Sequence, residues 1–132
     1  MKHREIRAAV LSALKANITE RVTWFDGRPA FIDEQELPAV AVYLTDASSA
    51  EEFVDEDTWE AVLHIEVFLR AKETDSALDT WMEEKIFPAL EGVTGLSALL
   101  LKMNLQGYDY RRDDEFMMWG SADLLWKITY QM

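Results

Sequence analysis

The chain of 132 residues carries 13 basic and 25 acidic side chains, a formal charge of −12, with 49% apolar residues and no cysteine. That length and apolar fraction suit one folded domain, expected over residues 1–132, with too little chain for a second core. The charge argues against neutralising nucleic-acid phosphates or an anionic membrane, and the lack of cysteine excludes disulfides, thiolate chemistry and cysteine-based zinc sites.

Met1-Lys2-His3-Arg4-Glu5 leads directly into a mixed apolar and polar pattern, which is not that of a signal peptide. The apolar run Leu96 to Leu101, with Ser97 inside it, is too short to span a bilayer. These features predict a soluble, intracellular protein. Residues 4–17 place Ile6, Val10, Ala13, Leu14 and Asn17 at helical spacing, with Arg4, Glu5, Arg7 and Lys15 opposite, and predict an amphipathic helix. Val22-Thr23-Trp24-Phe25 reads as a short strand, Asp26-Gly27-Arg28-Pro29 as a turn, and Ala30-Phe31-Ile32 as the returning strand. Ala39 to Thr45 is a third strand, and Pro38 before it suits a strand's first positions.

Thr58 to Arg70 carries the clearest period of two, with Trp59, Ala61, Leu63, Ile65, Val67 and Leu69 on one face. The other face mixes charge with Val62 and Phe68 and is expected to be wet or only partly covered. Thr74-Asp75 supplies an N-cap for a helix over about 75–90, whose buried stripe is Leu78, Trp81, Met82, Ile86 and Ala89. Pro88 weakens its last turn, and Gly92 and Gly95 end it. Leu96 to Met103 fits either a short helix or the approach to a strand, and the pattern does not decide. Period two returns from about Gln106 to Arg112 and from Trp119 to Gln131. The sum is an α+β sandwich: a mainly antiparallel or mixed sheet of four to six strands with two main helices on one face.

Little in the chain suggests chemistry. Asp46 to Asp57 is acidic without a base, but it has no central glycine for a calcium loop and reads as a solvated connection. His3 lies near the terminus, and His64 sits on the outer face of the long strand as an expected surface residue. Gly92-Val93-Thr94-Gly95 lacks the lysine and hydroxyl of a phosphate loop. Nothing apolar surrounds Asp113-Asp114 to raise one carboxyl for acid catalysis. No catalytic, cofactor-binding or metal residue is expected. Trp24, Trp59, Trp81 and Trp126 fit the core by pattern. Trp119, after Phe116-Met117-Met118, fits either core or an exposed patch that a partner covers.

Tyr108-Asp109-Tyr110-Arg111-Arg112-Asp113-Asp114 is different in kind. It places two adjacent arginines among aromatics and carboxylates, the mixture that pairs with a similar surface on another molecule. Tyr108, Tyr110, Arg111, Arg112, Asp113 and Asp114 are therefore expected to make subunit or partner contacts.

The same stretch belongs to a wider resemblance. Arg7-Ala8-Ala9-Val10-Leu11, Phe25 to Ala30, Pro38 to Thr45 and Leu63 to Leu69 stand in one order with Asp75-Ser76, Trp81-Met82-Glu83, Gly107 to Asp114, Ser121 to Leu124 and Ile128-Thr129-Tyr130. With these blocks the chain resembles, essentially end to end, the tail terminator (minor tail protein U) family of lambda-like long-tailed phages. It departs from the family pattern at 46–57, 91–106 and 115–119.

The resemblance implies a tail-tube-like fold and a hexameric ring on the end of the tail tube. That ring stops tube polymerisation and then receives the head-completion protein. Implied partners are the chain itself, the tail tube protein and the head-completion protein. DNA would pass through the ring without sequence-specific binding, and no membrane is involved. The implied location is the host cytoplasm during assembly, then the virion tail. Arg28 and Asp75, inside matched blocks, join the expected contact residues. No cofactor is implied, though a non-specific magnesium effect on assembly follows from crowding acidic chains. The competing reading is a monomeric or dimeric accessory protein-binding module without ring formation. A carboxylate-based hydrolase is a third and weaker one.

Overall fold

The computed structural model of the chain describes residues 2–49, 57–73, 75–91 and 94–132. The first amphipathic pattern becomes helix α1 (Lys2–Asn17), which buries Ile6, Val10, Leu11 and Leu14. Leu11 belongs to the stripe where Asn17 was expected. Asn17 is exposed and donates its side-chain amide to the Ala13 carbonyl at 2.8 Å.

Strand β1 (Thr23–Asp26) does not turn back into a strand at Ala30–Ile32. It pairs in parallel with β2 (Ala39–Ser49), Thr23 opposite Ala39 and Asp26 opposite Val42. Parallel neighbours cannot be joined by a tight hairpin, so residues 27–38 form a crossover instead. That crossover holds a short 3-10 turn at Glu34–Glu36, whose first residues are fixed by a reciprocal capping box between Asp33 and Glu36. It ends at the cis Leu37–Pro38 bond.

β2 runs on to Ser49, past the expected end, through a register shift between Thr45 and Ser48 where Asp46 takes φ 57°. The acidic residues Glu51, Glu52, Asp55 and Glu56 lie outside the described residues. β3 (Thr58–Arg70) has the expected bounds. Three elements follow it in sequence: α2 (Asp75–Thr80), a π-helical turn (Trp81–Ile86) and α3 (Phe87–Leu90). The Phe87 N–H reaches the Met82 carbonyl, one residue further back than in an α-helix. Pro88 has no N–H, and its ring would crowd an α-helical carbonyl four residues back; the wider turn before it relieves that clash.

The helix stops at Leu90, where Glu91 is extended, and Gly95 lies inside α4 (Thr94–Leu99) rather than ending the preceding helix. Thr74 and Gly92 are outside the described residues. α4 runs directly into β4 (Leu100–Arg112), so the segment 96–103 is helix first and strand second. β5 (Trp119–Gln131) completes a mixed five-stranded sheet in the order β1-β2-β3-β5-β4. At Gly107 the β4 register shifts, with φ 130°, a conformation open to glycine and costly for other residues.

One face of the sheet carries the helices. Val40, Val42, Leu63, Ile65, Val67, Ala122, Leu124, Ile128 and Tyr130 meet Ile6, Val10, Leu14, Leu78, Met82 and Ile86 there. Trp24, Trp59, Trp81 and Trp126 lie half-buried against that core. The opposite face is only partly covered, one of the two expected outcomes: Glu60 and Val62 of β3 are half-buried and Arg70 is exposed, whereas His64, Glu66 and Phe68 are buried. Ile32 and Leu37 of the crossover pack on Ala39, Ala41, Tyr43 and Phe68, bordered by Phe25 and Trp119. Among the described residues no helix is long and apolar enough to cross a membrane.

Candidate functional site

Because strand side chains alternate, neighbours in 108–112 point to opposite faces. Tyr108, Tyr110 and Arg112 stand opposite Leu124, Ala122 and Gly120 and share the helix side, while Arg111, opposite Ser121, faces away. On the helix side, Asp79 accepts hydrogen bonds from both tyrosines, Tyr108 Oη at 2.9 Å and Tyr110 Oη closer still. One helical turn earlier, Asp75 Oδ1 accepts Arg112 Nη2 at 2.8 Å. Four residues of helix and two residues of strand both advance about 6 Å, so the two rows stay in step. The bond to Asp79 holds the Tyr110 phenol above its ordinary value.

Arg112 lies across Gly120, where an added Cβ would sit 2.5 Å from Nη1. With Asp75, Asp113, Asp114, Met117 and Trp119 it lines an open cleft of about 710 Å³. The turn beyond is built on Asp113, whose carboxylate accepts the backbone N–H groups of Glu115 and Phe116 at 3.2 Å and of Met118 at 3.0 Å. Desolvation pushes the Asp113 carboxyl up, but the N–H donors outweigh it and hold the group below the usual aspartate value. The turn leaves Phe116 and Met117 exposed, and Phe31 meets Phe116 edge-on at 5.8 Å. Trp119 is not part of that patch. It packs edge-on against Phe68 at 4.9 Å.

The far face holds a buried polar network. His64, expected at the surface, is only 6% exposed, and Glu66, Ser121 and Asp123 are at 0%. His64 Nδ1 lies 2.8 Å from Asp123 Oδ2, and its Nε2 lies 2.7 Å from Thr45 Oγ1. Both ring nitrogens are therefore occupied. Glu66 accepts Tyr43 Oη at 2.8 Å and Ser121 Oγ at 2.6 Å. Arg111 Nη2 reaches Asp123 Oδ2 at 3.3 Å from the rim, and the Arg28 guanidinium stands 5.7 Å from the Tyr43 ring centre. Burial first, then the Glu66 charge, holds the Tyr43 phenol well above its ordinary value, so it serves as a neutral donor.

The expected contact residues thus fall into two groups. Asp75, Arg112, Asp113 and Asp114 meet at one cleft, with Tyr108 and Tyr110 on the same side, while Arg111 and Arg28 lie on the other face. Asp79 and the network of Tyr43, His64, Glu66, Ser121 and Asp123 were missed. The available signal for the network was a run of polar residues at mid-strand, alternating with apolar ones. Among the described residues no group of three or more histidine or acidic side chains is arranged to hold a metal.

The fold recurs in a virion. A chain of the "virion of native gene transfer agent (GTA) particle" matches with TM-score 0.50 over 96% of this chain and 94% of the other, at 15% identity. That likeness speaks for the fold alone. The chain belongs to the phage minor tail protein U family, which it matches over residues 1–130. It is 56% identical to the tail tube terminator protein of Escherichia phage lambda and 54% identical to that of Escherichia phage N15, each over all of both chains.

Proposed function

We propose that this chain is a tail tube terminator. It forms a hexameric ring on the end of the tail tube, stops tube polymerisation and presents the surface on which head and tail join. The supporting observation is full-length identity above half with two tail tube terminator proteins. The expected contact residues suit such a role, because exposed arginine, carboxylate and aromatic groups gather beside the edge strand. Its partners are then other copies of itself, the tail tube protein and the head-completion protein. It acts by contact, without a reaction, in the host cytoplasm and then in the virion.

Native mass spectrometry across protein concentration, with negative-stain imaging, tests the ring. Six-membered rings are expected, and a persistent dimer would favour an accessory binding module instead. Complementation of a terminator-deficient phage tests the role itself. Arg112→Glu should leave the fold intact and reduce ring formation or tail joining; normal complementation by that variant would remove Arg112 from the contact.

A further inference from the structure

The helical layer divides its charge between its two sides. α1 holds Lys2, Arg4, Arg7 and Lys15 against Glu5. α2 and the π turn hold Asp75, Asp79, Glu83 and Glu84 against Lys85. At 3.6 residues per turn, with Ile6, Val10 and Leu14 facing the core, Arg4, Arg7 and Lys15 share one flank of α1. That flank faces β1, because Arg7 Nε bonds Asp26 Oδ1 at 2.6 Å. Asp75, Asp79 and Glu83 recur every four residues on the flank of the second helix that meets β4, as the bonds to Arg112, Tyr108 and Tyr110 establish. Lys85 points the other way, to Glu20 at 2.7 Å. β1 and β4 are the two edges of the sheet, so strips of opposite sign run along opposite edges of the molecule.

Part of each strip is used internally: Arg7 by Asp26, Asp75 by Arg112, and Asp79 by the tyrosines. Arg4 and Lys15 on one side, and Glu83 and Glu84 on the other, are exposed and make no ion pair among the described residues. A two-fold contact would set each strip against itself, like charge against like. A head-to-tail contact sets opposite charges together and leaves the same surfaces open for the next copy. The β4 edge also exposes Leu101, Leu105 and Tyr110, which supply apolar area for the same contact.

We propose that the β1-side flank of α1, through Arg4 and Lys15, docks on the acidic outer surface of the second helix, through Glu83 on its β4 side and the neighbouring exposed Glu84, of a second copy of this chain. This inference rests on the ring reading and says which surfaces close the ring. The test uses the full chain in two reversed forms, Arg4→Glu/Lys15→Glu and Glu83→Lys/Glu84→Lys, each checked for folding by circular dichroism. Each form alone opposes like charges and should need roughly tenfold or more protein for half-assembly. An equimolar mixture restores opposite charges at every contact and should recover assembly, in even-numbered rings of alternating composition by native mass spectrometry. Wild-type rings beside unimpaired variants, or folded variants whose mixture fails to recover assembly, would overturn the docking and leave the ring standing. A wild-type chain that stays monomeric throughout would overturn both.

Discussion

Asp113 uses both carboxylate oxygens on the backbone of the turn that follows it, so its ionised form is tied to the native state. Its folded pKa is depressed, so its contribution is present above the ordinary aspartate range and is lost as pH falls through the lowered value. Asp113→Asn should therefore melt below wild type at pH 7, with the gap closing in acid as the wild-type carboxyl protonates. Parallel melting of the two proteins at both pH values would remove this role. Asp123 differs because it is fully buried and receives His64, Arg111 and, at 3.5 Å, the Tyr43 hydroxyl. Removing it leaves buried donors unmatched, and breaking a buried pair in this way costs about 3–5 kcal/mol. Urea unfolding of Asp123→Ala should show a loss of that order. A loss under about 1 kcal/mol, in the range of an exposed pair, would mean that solvent reaches the network.

The edge strand β4 depends on α2 through two carboxylates with different tasks. Asp79 gathers two phenols, whereas Asp75 and Arg112 form a pair with both side chains about half-exposed. Such an exposed pair contributes only about 0–1 kcal/mol, so Asp75→Ala should barely move the melting temperature. If Asp75 serves the ring contact, the same variant should lower the hexamer fraction; a large melting loss with normal hexamers would make it a purely structural residue. The sequence announces β3 because both of its neighbours pair with it and its helix-side residues are uniformly apolar. It conceals the start of β4, where Leu101 and Leu105 are exposed on an edge and the alternation fails. The parallel β1–β2 pairing was hidden too, since Asp26-Gly27-Arg28-Pro29 has the composition of a hairpin turn while the chain continues into a crossover. For the site, period two places Arg111 and Arg112 on opposite faces. Which carboxylates meet them depends on tertiary contacts that no local pattern encodes: Asp123 is one of several polar residues of β5, with Ser121, Lys127 and Thr129, and Asp75 begins a distant helix.

At the scale of the molecule, the proposed ring would have to gather a chain of charge −12 around one axis. Six copies would bring on the order of 70 negative charges together before screening, while the proposed attraction between the strips on α1 and the second helix would act only at short range. Sodium chloride weakens both effects, because the screening length of about 8 Å at physiological ionic strength covers neighbouring side chains as well as distant ones. Magnesium, condensing on acidic surface, would lower the overall repulsion at an ionic strength where the proposed Arg4, Lys15 and Glu83 contacts would still act. Magnesium chloride should therefore promote assembly more than sodium chloride at equal ionic strength, and excess sodium chloride should reverse part of the gain. Light scattering or sedimentation across both salts measures this directly. Superimposable curves would reduce the effect to general screening and leave no role for the divalent ion.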